Sequence, residues 1–161
     1  MPEILSQIAT FLAAGHETTS SALTWCLYAL AQAPGAQRKL REAFLSLSPD
    51  SPNLTNDIVN LPYLDHVVRE ALRIHAPVTS TMRVCMREAD EVPVCKPYTD
   101  RNGVLRQSIA VRKHDIVTVP IQAINKSRKL WGEDACVFRC VPRSVLALLD
   151  IVNHCAEVLM V

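Results

Sequence analysis

The sequence predicts a mainly α-helical fold with a small β region. Apolar residues such as Ile4, Ile8 and Leu12 recur at helical spacing from the start of the chain to Gln32. A second apolar pattern of the same period follows Pro62. Beyond Pro77 the pattern changes to short runs of β-branched and apolar residues, which is typical of strands.

The first helix is expected to run from Pro2 to Gln32. Proline suits the first turn of a helix, where its missing N–H leaves no hydrogen bond unmade. The segment Ala33-Pro34-Gly35 ends the helix, because proline and glycine both oppose its continuation. At 1.5 Å per residue such a helix would be roughly 45 Å long. That length predicts a helix that crosses the whole core.

Two further helices are expected, at 36–47 and from Pro62 to Ala76-Pro77, with a helical turn at 57–60 between them. The helix that begins at Pro62 has a regular apolar pattern, which predicts that one face points inward. The residues expected on that face are Leu64, Val67, Val68, Ala71, Leu72 and Ile74.

Short strands are expected at 79–84, 92–95, 108–111 and 116–119. The segment Asp100-Arg101-Asn102-Gly103 is a strong turn signal and predicts a hairpin. Residues 120–134 are expected to return to short helices and loops.

Composition excludes several classes of function. The chain has 161 residues, of which 49% are hydrophobic, so it can bury a core. Seventeen basic residues against sixteen acidic ones, with few aromatics, give no argument for a nucleic-acid partner. None of the six cysteines forms a Cys-x-x-Cys pair, which disfavours structural zinc and a disulfide framework. The late apolar stretch 145–161 contains Asp150, His154 and Glu157 and is too polar for a membrane span.

The middle of the first predicted helix contains the segment Ala14-Gly15-His16-Glu17-Thr18-Thr19. Poor helix formers flanked by good ones indicate a site, since glycine costs a helix about 1 kcal/mol relative to alanine. Gly15 lacks a Cβ and allows close approach of a ligand, and the Thr18 hydroxyl can bond the carbonyl of Ala14. Glu17 can then relay protons that Thr18 positions. The alternative is a helix–helix contact at a small residue.

A zinc-protease interpretation of the same segment is rejected. His16-Glu17 begins like a His-Glu-x-x-His motif, but the second histidine position holds Ser20.

The second motif is Glu70-Ala71-Leu72-Arg73 in the helix after Pro62. Residues three apart on a helix share a face and can form an ion pair. The alternative is an exposed pair, which contributes only a few tenths of a kcal/mol. The segments Leu61-Pro62-Tyr63-Leu64 and Ile74-His75-Ala76-Pro77 flank this motif.

Together these motifs resemble the cytochrome P450 family of heme-thiolate monooxygenases. The resemblance implies a partial fold of that family, built on a long central distal helix. It implies that Ala14 and Gly15 line the oxygen groove, that Glu17 and Thr18 deliver protons, and that Glu70 and Arg73 brace the structure. It also implies that Arg83 binds a heme propionate, although an exposed strand arginine is an equal alternative and Arg87 lies close by.

The sequence departs from the family after Phe138-Arg139. No Pro-Glu-Arg segment follows, and no Phe-x-x-Gly-x-Arg-x-Cys-x-Gly loop occurs to supply the iron-binding cysteine. Cys140 and Cys155 lack the glycines of that loop, so no metal ligand is assigned. The expected organisation is therefore a partial cytochrome P450 domain at 1–139 and a non-homologous tail at 140–161, from a truncated or alternatively spliced product.

The resemblance implies an enzyme that uses heme b to insert one oxygen atom from dioxygen into a small organic, lipophilic substrate. It implies an electron-donating reductase as partner. It also implies a parent enzyme anchored in the endoplasmic-reticulum membrane with its body on the cytoplasmic face, although no anchor is expected in this chain. The isolated chain is expected to be inactive. The alternative is a non-catalytic helical product that acts only through protein contacts or has no function.

Overall fold

A computed structural model of the chain describes residues 2–140. The described part forms two compact units. The first contains residues 2–79 and 120–140, and the second contains residues 80–119. All helices of the described residues belong to the first unit and all strands to the second. The predicted class, mainly α with a small β region, is confirmed.

The first unit has six helices within the described residues. Their bounds are α1 Pro2–Gln32, α2 Pro34–Leu45, α3 Leu54–Val59, α4 Pro62–Ile74, α5 Ile121–Asn125 and α6 Arg128–Trp131. The first helix has the predicted bounds, and α2 begins two residues earlier than expected because Pro34 occupies its first turn. The predicted turn at 57–60 is a helix that begins earlier, at Leu54.

The core of the first unit lies along one stripe of α4. Val67, Ala71 and Ile74 follow one another at four- and three-residue spacing and are all buried. The prediction that Val68 and Leu72 also point inward is wrong, because they are 41% and 40% exposed. Each lies about 100° around the helix from its buried neighbour, and only one sector of α4 is covered.

An aromatic stack joins α1 to the end of α4. The rings of Trp25 and His75 are parallel within 8°, with centroids 4.6 Å apart. Tyr28 meets Trp25 edge-on at 5.6 Å. Partial burial lowers the pKa of His75, and the charge of Lys126 lowers it further. Burial and the nearby charge therefore favour the neutral imidazole.

Packing covers only the C-terminal part of α1. Ala29 and Leu30 are buried, whereas every described residue from Ile4 to Thr19 is exposed. Apolar side chains are among the exposed ones, including Ile8 and Phe11. Within residues 2–140, no helix combines the length and the apolar character that a membrane crossing requires.

The second unit consists of two antiparallel strand pairs. Strand β1, Thr81–Val84, pairs with β4, Ile116–Val119, and β2, Ala89–Thr99, pairs with β3, Leu105–Arg112. The predicted hairpin is present, with its turn at Asp100–Gly103, but its strands are longer than expected. A register shift between Pro93 and Tyr98 interrupts the alternation of side chains, which explains why the pattern understates their length.

Val67 and Val68 provide a matched test of the core. Replacing Val67 by alanine removes the equivalent of two buried methylene groups and should lower the free energy of unfolding by about 1.5–3 kcal/mol. Val68→Ala, one residue along the same helix, should change it by less than about 0.5 kcal/mol. Urea denaturation followed by circular dichroism measures both. Equal losses for the two variants would contradict the assignment of the buried stripe.

Candidate functional site

The segment Ala14–Thr19 lies in the middle of α1, on the exposed part of that helix. The Thr18 hydroxyl donates a hydrogen bond of 2.8 Å to the carbonyl oxygen of Ala14. A Cβ added to Gly15 would meet no atom within 4 Å, so the helix surface there is open. An exposed carboxylate, Glu17, adjoins the threonine. The segment therefore offers an acid and a hydroxyl beside an open stretch of helix.

The bond made by Thr18 occurs at two other places on α1. Thr10 donates to the carbonyl of Ser6 at 2.9 Å, and Thr24 donates to the carbonyl of Ser20 at 2.8 Å. A threonine in a helix commonly makes this bond to the preceding turn. The bond alone therefore does not distinguish Thr18, and the combination with Gly15 and Glu17 does.

Glu70 and Arg73 form a buried, bidentate ion pair on α4. Arg73 Nε donates to Glu70 Oε2 at 2.8 Å, and Arg73 Nη2 donates to Glu70 Oε1 at 2.9 Å. Their side chains are only 6% and 4% exposed, respectively. Paired hydrogen bonds of this kind match the planar guanidinium to the carboxylate. Each charge is thereby compensated away from water.

The same guanidinium holds the segment 125–137 in place. Arg73 Nη1 donates to the carbonyl oxygens of Asn125 at 2.6 Å and Ala135 at 2.5 Å, and Nη2 donates to that of Val137 at 3.4 Å. The Trp131 ring lies 4.8 Å from the guanidinium carbon, which adds a cation–π contact. Arg73 therefore connects α4 to residues more than fifty positions further along the chain.

Glu70 makes its own contact with the same segment. Its Oε1 accepts a hydrogen bond of 2.9 Å from the backbone N–H of Arg139. The sequence motif identified the ion pair but not these backbone partners. A carbonyl or an N–H is present at every ordinary residue, so no residue type marks the ones that a guanidinium will reach. The aromatic ring of Trp131 was the one side chain that could have suggested a cationic neighbour.

Arg83 lies on β1 and is exposed. Its Nη1 donates to Thr81 Oγ1 at 2.8 Å and to the carbonyl oxygen of Met82 at 2.9 Å. The neighbouring candidate, Arg87, forms a loose ion pair with Asp90 at 3.4 Å. Both bonds of Arg83 are to its own strand, and the guanidinium is within reach of solvent.

The chemistry of the cysteines provides a test for a thiolate ligand. Burial, followed by the charge of Glu70, raises the pKa of Cys140 to about 11. Burial also raises the pKa of Cys26. Neither cysteine lies in a glycine-containing loop of the kind that presents a thiolate to heme iron. Among residues 2–140, no cluster of three His, Cys, Asp or Glu side chains is arranged to hold a metal ion. Cys155 lies outside the described residues.

A family model described as Cytochrome P450 matches residues 1–140. Cytochrome P450 monooxygenase 205 of Postia placenta is 48% identical over 152 residues, which are 94% of this chain and 27% of that protein. Cytochrome P450 monooxygenase 128 of the same fungus is 44% identical over 137 residues, 85% of this chain and 25% of that protein. The chain therefore spans about a quarter of the length of these relatives.

A crystal structure of a cytochrome P450 (CYP102L1) superposes with a TM-score of 0.62 at 29% sequence identity. It covers 83% of this chain, which spans 28% of that structure. The predicted partial fold is thereby confirmed. The 152-residue alignment necessarily includes some of residues 140–161. The predicted boundary at residue 139 stays a prediction, since residues 141–161 lie outside the described part.

Arg73 and Arg69 allow a matched test of the buried network. Arg73→Ala strands the buried Glu70 charge and should lower the free energy of unfolding by about 3–5 kcal/mol. Arg69 forms a solvent-exposed ion pair with Asp65, with 2.7 Å between Nε and Oδ2. Arg69→Ala should therefore leave the free energy of unfolding nearly unchanged. Chemical denaturation of both variants measures the difference.

Two further variants separate charge from geometry. Arg73→Lys keeps the charge but loses the planar fork, so it should recover only part of the loss. The double variant Glu70→Ala with Arg73→Ala should be less destabilised than the sum of the single variants, because the two side chains act as a unit. Additive losses would contradict a coupled pair.

Proposed function

The chain belongs to the cytochrome P450 family, and from this premise we propose that it forms part of a heme-thiolate monooxygenase. Such an enzyme inserts one oxygen atom of dioxygen into an organic substrate. The observation that best supports the proposal is the co-occurrence of two features. One is the Gly15-to-Thr18 segment in the middle of a long helix, and the other is the buried Glu70–Arg73 pair that binds residues 125–139.

In this proposal Glu17 and Thr18 move protons. The Thr18 hydroxyl hydrogen is directed to the Ala14 carbonyl, so its oxygen lone pairs are free to accept a proton-bearing donor. Glu17, the adjacent residue, can take up a proton from water and pass it on. Gly15 and Ala14 contribute small side chains, so a diatomic ligand can approach the helix backbone closely.

The proposed role of Glu70 and Arg73 is assembly. Both side chains are almost fully buried, and their polar atoms contact each other and the backbone of residues 125–139. A group so enclosed cannot reach a substrate. We propose that the pair instead holds helix α4 to a distant segment, in agreement with the bracing role that the family resemblance implies.

Heme is the cofactor of this family and supplies the oxygen-activating iron. The residues of the open α1 surface are compatible with a flat group beside them, but the axial donor does not fit. Neither Cys26 nor Cys140 has beside it the glycines of the iron-binding loop. Arg83 could bind a propionate by exchanging its bonds to Thr81 and Met82 for a carboxylate. No reaction step is therefore assigned to heme in this chain.

The remaining parts of the proposal follow from family membership. We propose a reductase as electron donor, a small lipophilic substrate, and a parent enzyme at the cytoplasmic face of the endoplasmic reticulum. The second candidate is a non-catalytic helical product. The absence of a Phe-x-x-Gly-x-Arg-x-Cys-x-Gly loop from the sequence favours this candidate for the isolated chain.

The isolated chain should not form a heme-thiolate complex, because its sequence contains no cysteine loop of the kind that holds heme iron. The measurement is reconstitution with heme, reduction, and addition of carbon monoxide. We expect no stable Soret band at the red-shifted position that marks thiolate ligation. A full-length relative treated in parallel is the positive control. Appearance of that band in the 161-residue chain would show that one of its cysteines ligates iron after all.

Thr18→Ala should uncouple the reaction in a full-length protein that contains this segment. Oxygen and reducing equivalents would still be consumed, but hydrogen peroxide would replace hydroxylated product, since proton delivery is lost. Thr10→Ala and Thr24→Ala remove the same type of bond from the same helix and should leave coupling unchanged. Equal peroxide yields from all three variants would assign the effect to helix structure and remove Thr18 from the proton path.

A further inference from the structure

The turn between β2 and β3 combines an Asn-Gly sequence with an open backbone. Asn102 is exposed, and Gly103 follows it with a φ of +77°. A Cβ added to Gly103 would meet no atom within 4 Å. The turn is therefore sterically open on that side of Gly103.

We propose that Asn102 is a site of spontaneous deamidation and that Asp100 sets its rate. The deprotonated backbone nitrogen of Gly103 attacks Cγ of Asn102, a C–N bond forms, and ammonia leaves with a proton from the solvent. Water then opens the five-membered succinimide at one of its two carbonyls. The products are aspartate, or isoaspartate in which the chain continues through the side-chain carbon. No oxidant or reductant is needed, and the proposal does not depend on the proposed function.

The residue after each asparagine distinguishes Asn102 from the others. A side chain on that residue crowds the attacking nitrogen, and only glycine has none. The other described asparagines precede Leu54, Asp57, Leu61 and Lys126. Asn125, the one that precedes Lys126, is also buried. Asn102 is therefore the position where the ring closes most readily.

Asp100 restrains the same turn by five hydrogen bonds, one of which its backbone N–H donates to the carbonyl oxygen of Val104 at 2.9 Å. Its backbone carbonyl accepts the Gly103 N–H at 3.0 Å, which is the nitrogen that must lose its proton to attack. Its Oδ1 accepts the N–H groups of Asn102 and Val104, each at 2.9 Å. Its Oδ2 accepts Arg106 Nε at 2.9 Å. The carboxylate thus keeps the turn closed, as aspartate does in turns of this kind.

The carboxylate stays charged over the range in which deamidation occurs. The backbone N–H of Val104, followed by Arg106, lowers the pKa of Asp100. The turn must open locally before Gly103 can react, and an exposed turn opens without unfolding the strands on either side. Asp100 therefore slows the deamidation of Asn102 that the Asn-Gly sequence favours.

Conversion of Asn102 to either product adds a negative charge at the hairpin, and conversion to isoaspartate also lengthens the main chain. Aspartate at position 102 would place a second carboxylate beside Asp100. Isoaspartate would add a carbon to the main chain of the turn, which disturbs the loop length that sets the register between β2 and β3. It would also make the chain a substrate for a methyltransferase that esterifies isoaspartyl carboxylates with S-adenosylmethionine.

The test is peptide mass spectrometry of the 161-residue chain incubated at neutral and mildly alkaline pH. We expect the peptide that contains Asn102 to gain one dalton before any other asparagine peptide does, at a rate that rises in proportion to hydroxide. Gly103→Ala should slow the gain severalfold, and Asn102→Gln should abolish it. Transfer of a radiolabelled methyl group from S-adenosylmethionine by an isoaspartyl methyltransferase identifies the isoaspartate product.

Asp100→Ala tests whether the carboxylate slows deamidation, and it should raise the rate of deamidation at Asn102 severalfold. The matched control is Asp115→Ala, which removes a carboxylate that accepts a backbone N–H, from Arg112, in a different turn. A second measurement compares the parent chain with and without urea, where the folded chain should convert more slowly. Earlier conversion of another asparagine would overturn the site. An unchanged rate in Asp100→Ala, or equal rates in the folded and urea-unfolded parent, would overturn the role of Asp100.

Discussion

The guanidinium of Arg73 is the buried charge on which the arrangement of α4 and residues 125–139 depends. A charge removed from water is costly unless it is paired and hydrogen-bonded. Glu70 provides the opposite charge, and the carbonyls of Asn125 and Ala135 take up the remaining donor group. The hydrogen bonds from the guanidinium hold these carbonyls in position. Only arginine offers such a planar fork of donors, so lysine could not satisfy the same acceptors.

The network brings together parts of the chain that are distant in sequence. Its bonds join residues separated by 52 to 69 positions, and ordering so long a loop costs entropy. Burial of Val67 and Ala71 on the same helix supplies apolar contact beside the polar bonds. The Trp25–His75 stack then ties α1 to the end of α4. The buried sector of α4 thus combines apolar packing with a compensated charge.

The sequence predicted correctly those elements whose ends are marked by proline, glycine or turn-forming residues. Pro2 and the Ala33-Pro34-Gly35 segment defined α1, and the Asp100–Gly103 turn defined the hairpin. It failed at Val68 and Leu72, because periodicity shows which residues are apolar but not which sector of a helix a neighbour covers. The backbone partners of Arg73 could not be predicted from the sequence, for a different reason. Backbone carbonyls carry no residue-specific signal, so their use becomes visible only in three dimensions.

The bracing network and the proposed chemistry make different demands on the chain. The ion pair of Glu70 with Arg73 is enclosed within the described residues. Glu17 and Thr18 lie instead on a part of α1 that is exposed to solvent, together with Ile8 and Phe11. Directed proton delivery requires that bulk water be kept from the donor, because water would otherwise exchange protons with the acid at random. The helix from Ile4 to Thr19 must therefore be covered before Glu17 and Thr18 can perform the proposed role, whereas the hydrogen bonds of Arg73 are already formed.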